Sequence, residues 1–236
     1  MKTIQTMKAM VIAATLICGV SVNAQAQSND SYETKNEVAV TIGAGSNSQI
    51  FSAFSDLFTV MGTALISSVV TGGIYTGTTT YDNETNIPPI SVEYFHRLNN
   101  TVSIGAIAGF CGSFSDMFCT FQKNQGDGSY KIESKEKVGN SKKYYVTLMP
   151  AAKFDWLRKK NFGMYSKVAL GVTYMYEKEK QDNKDGEKVL NSESRFMPNF
   201  QASLLGIEAG LENVRGFVEL GAGEQGILLA GVRCKF

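Results

Sequence analysis

The sequence predicts an all-β chain, an eight-stranded antiparallel up-and-down transmembrane β-barrel with a partly helical first surface loop. Eight stretches alternate apolar and polar residues with the period of two that belongs to strands. Connections between them are long at one end and short at the other. The polar rows carry charges at mid-strand, so the apolar rows face outward. With 23 Gly, 4 Pro and 43% hydrophobic residues, the chain folds rather than staying disordered. Its length suits one all-β domain. A mean hydropathy of -0.10 is what alternating faces give, where a helical bundle would score high. The net charge of +1 offers no field for nucleic acid.

The first residues read as a secretory signal. Lys2 and Lys8 precede an apolar run from Ala9 to Val22, and Ala24-Gln25-Ala26 supplies small residues around a cleavage site. Residues 1–26 are therefore expected to be removed, leaving 27–236 as the barrel domain. A membrane-anchoring helix is the alternative, and the shortness of the run disfavours it.

Val38, Val40 and Ile42 open the first strand, alternating with Ala39, Thr41 and Gly43. Residues 46–75 follow with no charge between Asp56 and Asp82. Within them Ile50, Phe54, Leu57, Met61 and Leu65 recur at helical spacing. A transmembrane helix is one reading of this run. The preferred one is a helical loop packed on the barrel mouth, with those five residues as its contact face.

Ile90, Val92 and Tyr94 make the next outward row, and a turn at 97–100 leads to Val102, Ile104, Ala106, Ala108 and Phe110. A long charged loop is expected over 112–143. Tyr144, Val146, Leu148, Ala152, Phe154 and Trp156 then alternate with Thr147, Lys153 and Asp155. After a short turn come Val168, Leu170, Val172, Tyr174 and Tyr176, then a second polar loop over 177–194. Phe200, Ala202 and Leu204, and then Val218, Leu220 and Ala222, form the sixth and seventh rows. Leu228, Ala230, Val232, Cys234 and Phe236 close the chain. Aromatic residues gather at strand ends in two belts, as membrane interfaces require. Pro150 and Pro198 fall inside strands and predict a bulge or strand end at each.

Few residues are placed for chemistry. Cys111 and Cys119 flank the start of the second loop; in an oxidising compartment they are expected to form a disulfide, with two unpaired thiols as the alternative. Glu93, Lys153, Asp155, Lys167, Glu219 and Arg233 share the inward rows, with Glu219 facing Arg233 on the adjacent strand. They read as a neutralised plug filling a narrow barrel, or else as a charged constriction selecting ions. The only histidine, His96, sits at the short-turn end, which disfavours a lipid-modifying enzyme. No ligand set for zinc or another cofactor is evident.

The glycines and hydrophobic residues of the last strands resemble a known family. Leu205-Gly206-Ile207, Gly216-Phe-Val-Glu-Leu-Gly221, Gly223, Gly226, Gly231 and terminal Phe236 are similar to the closing strands of small outer-membrane β-barrels (porin-like, OmpA/OmpX-type) of Gram-negative bacteria. The resemblance implies an outer-membrane location, contact with lipid and recognition by the barrel-assembly machinery, with Gly231 and Phe236 as the assembly signal. The expected function is non-enzymatic: envelope structure or surface interaction through the loops, with a ligand or protein partner. A narrow pore for small solutes is the alternative.

Overall fold

The computed structural model describes residues 34–127, 129–182 and 188–236; the expected signal segment, residues 1–26, lies outside them. Eight strands pair in sequence order and close on themselves. They are β1 (Asn36–Ala44), β2 (Tyr75–Arg97), β3 (Val102–Asn124), β4 (Tyr130–Arg158), β5 (Phe162–Asp182), β6 (Lys188–Gly210), β7 (Val214–Gly223) and β8 (Leu228–Lys235), with one helix, α1 (Asn47–Val70), after β1. Every neighbouring pair is antiparallel, and β1 meets β8 from Glu37↔Lys235 to Ala44↔Leu228. Backbone bonds between Asn36 and Phe236, at 2.8 and 2.9 Å, finish the seam.

Outward and inward rows fall where the alternation puts them. Val92, Ile104, Val146, Leu148, Leu170, Leu204 and Val218 are exposed on the outer face, while Glu93, Lys153, Lys167, Glu219 and Arg233 are buried inside. Aromatic side chains touch around the barrel at one level. Phe110 and Tyr144 lie 6.4 Å apart, Tyr144 and Tyr176 6.5 Å, and Tyr174 and Phe196 5.0 Å between ring centroids. Tyr94, Phe154 and Trp156 stand exposed toward the short-turn end.

The strands are very unequal. Those of β1, β7 and β8 have 9, 10 and 8 residues, whereas β2 to β6 run for 21 to 29. Segments 112–124, 130–143, 177–182 and 188–194, expected within the loops 112–143 and 177–194, are instead continuations of paired strands. Ladders run unbroken from Phe110↔Val146 to Asn124↔Tyr130 apart from two register shifts, and from Tyr174↔Phe196 to Asp182↔Lys188. Their apolar residues do not keep a period of two: Phe114, Met117, Phe118 and Phe121 on β3 follow at steps of 3, 1 and 3, so no hydrophobic alternation marked them as strands. They project beyond the barrel as an open five-stranded sheet.

The prolines sit where a ladder bond is not needed. Pro198 lies on β6 above Gln201, where the pairing with β7 stops, so its missing N–H faces an edge. Pro150 stays in register with Ala106 on β3, while the ladder to β5 passes from Leu148↔Val172 to Ala151↔Ala169 without it. Neither marks a bulge.

Candidate functional site

Inside the barrel the charged side chains form one continuous network. Lys167 bridges Glu93 at 2.5 Å and Glu219 at 2.8 Å. Arg233 donates to Glu208 at 2.8 Å, with Glu93 at 3.4 Å and Glu37 at 3.6 Å. Its guanidinium is held between the rings of Tyr165 and Phe217, 4.5 Å from each centroid. Arg215 reaches Glu208 at 2.6 Å, and Lys235 pairs with the same carboxylate. Lys153 pairs with Glu37 and lies 3.4 Å from Asp155. Burying so many charges is tolerable only because each has an opposite charge within ion-pair distance.

All six inward charges expected from the sequence are here, but the expected Glu219–Arg233 pairing is a weak one. Those two groups approach only to 3.8 Å; Lys167 is the closer cation for Glu219, and Glu208 the closer anion for Arg233. Glu37, Arg97, Glu208, Arg215 and Lys235 belong to the same buried layer and were not foreseen. Four of them lie on the odd-numbered rows and were readable by extending the strands. Glu208 was hidden, because a register shift between Ser203 and Leu205 inverts the parity of β6 and turns an even position inward.

At the far end of the barrel the short turn after β7 folds down into the lumen. Gln225 donates to Glu93 at 2.7 Å and to Ser91 at 2.6 Å, and its N–H donates to Gln201 at 2.8 Å. Glu224 accepts from the Ser48 N–H at 3.1 Å, from the Ser48 hydroxyl at 2.8 Å and from Asn199 at 2.7 Å. A buried carboxylate thus faces the N-terminus of α1, where free N–H groups and the helix dipole favour an anion. Gly43 permits this tuck, since a Cβ there would run into the Gln225 carbonyl. The cavity left beneath is about 10 Å³, lined by Ser91, Ile107, Thr147, Met149, Glu224 and Gln225 among others. That is room for one water at most.

Only the first turn of α1 sits on the mouth. Ser46 caps it by accepting from the Gln49 N–H at 3.3 Å, and Ser48 and Ser52 are buried. The helix then climbs along the edge of β2 that lost its partner when β1 ended. Thr63 accepts from the Thr79 N–H at 3.1 Å, Ser67 from the Gly77 N–H at 2.7 Å and Thr71 from the Tyr75 N–H at 3.1 Å. Four helical residues rise ~6 Å and two strand residues ~6.8 Å, so hydroxyls at every fourth position meet strand amides at every second. The helix blunts an edge that would otherwise template pairing.

A polar interior lies between α1 and the projecting sheet. Lys143 holds Asp56 at 2.7 Å, with Ser52 at 3.0 Å and Glu177 at 3.5 Å. Burial, reinforced by Glu179, Asp56 and Glu177, pushes the Tyr81 hydroxyl up to about 12. Burial and then the Glu177 charge likewise raise Glu179 above its ordinary value. Consequently Ile50, Phe54, Leu57, Met61 and Leu65, expected to pack on the mouth, point the other way and are exposed. The side of the helix that meets protein is its Ser/Thr side, because an open strand edge needs hydrogen bonds rather than apolar cover.

The expected disulfide is absent. Cys111 and Cys119 are both free and lie on one uninterrupted strand, which separates them by ~26 Å, far beyond disulfide reach. Cys111 points into the mouth, 3.7 Å from Glu224. His96 stands at the short-turn end with its Nδ1 3.0 Å from the Asn36 side-chain oxygen. Among the described residues no group of three His, Cys, Asp or Glu is arranged to hold a metal. Gly231 has a steric reason in the fold, since a Cβ would come within 2.6 Å of the Phe217 ring.

No protein-family model matches this chain, and no curated protein sequence does. Solved structures similar in fold include Ail, the attachment invasion locus protein of Yersinia pestis, and the same protein in complex with the heparin analogue sucrose octasulfate. Each is 13% identical and covers 86% of this chain and 99% of its own, with TM-scores of 0.34 and 0.35. A likeness at that level adds nothing to a topology already given by the ladder register.

Proposed function

We propose that this protein is a non-enzymatic, outer-membrane surface protein whose sealed barrel anchors a projecting recognition platform. The observation that carries this is the inequality of the strands. On β4, Tyr144 and Trp156 mark the two aromatic levels; twelve residues span ~40 Å along a strand and ~30 Å along the axis at a tilt of ~40°. That matches a hydrocarbon core of ~30 Å, which a strand of about 9–11 residues can cross. Five strands of 21 to 29 residues greatly exceed that need, and the excess is braced by α1. Structure maintained far outside the bilayer is where a surface function belongs.

The pore alternative has little to support it, because paired charges and the tucked Gln225 occupy the lumen. Gly231 and Phe236 as the assembly signal belong to the same proposal, Phe236 being the residue whose backbone joins the seam. The test is to replace residues 114–141 by a two-residue turn. The trimmed barrel should still insert and show heat-modifiable mobility while losing cell-surface adhesion or aggregation phenotypes. Unchanged phenotypes, or failure of an amine label to reach Lys131 and Lys135 on intact cells, would refute the platform.

A further inference from the structure

Among the described residues the outer face of α1 is a large exposed apolar surface, with the Arg195 guanidinium 5.4 Å from the Phe51 ring at its margin. Phe51, Phe54 and Phe58 are 49%, 57% and 69% exposed, which at ~200 Å² per aromatic side chain leaves roughly 350 Å². Ile50, Leu57, Met61, Leu65 and Val69, exposed at 41%, 52%, 52%, 66% and 80%, bring the face to roughly 800 Å², above the few hundred Å² a monomer usually shows. It also reaches the ~800 Å² per partner of a standard interface. The only charge on the helix, Asp56, is on the opposite side and held by Lys143.

We infer that this face binds a second copy of the same chain, the two α1 helices packing against each other above the membrane. The inference rests on the surface placement proposed above. Three observations choose this occupant. Phe51, Phe54, Phe58, Met61, Leu65 and Ser68 follow one another at steps of 3, 4, 3, 4 and 3, which is the spacing of a helix-on-helix seam. Two barrels inserted the same way in one membrane are related by a two-fold axis along its normal, so both helices run outward and equivalent residues meet. The helix puts no charge of its own on that face, and Arg195 stands only at the Phe51 end, so the arrangement brings no like charges together along the seam.

Other occupants fit less well. A helix lying on lipid carries cations on its polar side; here that side carries Ser, Thr and one Asp and is bonded to β2. A polyanion would need a cluster of cations; α1 has none, and Arg195 beside Phe51 is a single one.

The test uses the full chain in its membrane. A photo-crosslinking amino acid at Phe58 should give a covalent dimer joined at the same residue of each copy, and one at Leu170, on the barrel wall, should not. In detergent or nanodiscs the wild type should have twice the chain mass by light scattering. Phe54→Glu with Phe58→Glu should weaken association at least tenfold while heat-modifiable mobility is kept, since both positions are exposed. A wild type that stays monomeric, or a Phe58 crosslink to lipid or to a different protein, would overturn the inference. If amine labelling of Lys131 and Lys135 on intact cells still succeeds, the surface reading survives that failure; if labelling fails too, both are wrong.

Discussion

Glu208 is the most informative residue to change, because the plug depends on it. The carboxylate is 1% exposed and faces three cations: Arg215 at 2.6 Å, Arg233 at 2.8 Å, and Lys235. Glu208→Gln keeps the shape, removes the charge and points an N–H donor into a cluster of donors. Breaking a buried ion pair by removing one partner costs ~3–5 kcal/mol, and the convergence of three cations argues for the upper half of that range. Asp116→Asn is the matched control, because Lys137–Asp116 is close at 2.6 Å but its lysine is half exposed. Exposed pairs contribute little, because solvent screens them. Urea unfolding of the protein in micelles, followed through Trp156, the only tryptophan, should therefore separate the two variants by ~3 kcal/mol or more with an unchanged denaturant slope. If Glu208→Gln lay within ~1 kcal/mol of the control, its surroundings would be behaving like water. The lumen would then be hydrated rather than sealed, as a narrow pore for small solutes requires.

Three further outcomes follow from the geometry. Replacing Thr63, Ser67 and Thr71 by Val, Ala and Val should cost ~1 kcal/mol per lost bond, and hydrogen exchange should accelerate at the Thr79, Gly77 and Tyr75 amides while the barrel strands stay protected. Gly43→Ala should expel the 224–227 turn from the mouth, because the new methyl occupies the place of the Gln225 carbonyl; a structure with that turn unmoved would contradict the steric reading. Glu179, raised by burial and by Glu177, binds its proton more tightly folded than unfolded, so its contribution is retained at low pH and lost as pH rises past the ordinary 4.5. Glu179→Gln should thus slow proteolysis of the projecting sheet at pH 7 and change nothing near pH 4; an equal effect at both would show that charge is not the cause.

The sequence was legible wherever one face of a strand meets an apolar medium and the other does not. Val146, Leu148 and Phe154 announce themselves against Thr147 and Lys153 because the two faces have different surroundings. Above Tyr144 one row turns to the polar interior under α1, where Ser113, Ser141 and Lys143 are buried, and the other to water; the contrast disappears, and 112–143 reads as a loop although its backbone is paired as far as Asn124↔Tyr130. The Cys111–Cys119 expectation fell with that loop, for two residues on one extended strand cannot approach. Parity itself is local information, and one inserted residue near Leu204 was enough to send Glu208 inside. The periodicity of α1 was visible, but not which side would pack. The habit of burying the apolar side of a helix presumes that the neighbour is apolar, and the neighbour here is a row of unpaired amides on β2. Hydroxyls at Thr63, Ser67 and Thr71 match those amides in spacing, and no Leu or Phe can replace a hydrogen bond. The apolar side is therefore turned outward by the needs of the strand edge, and its exposure follows from how the fold is made.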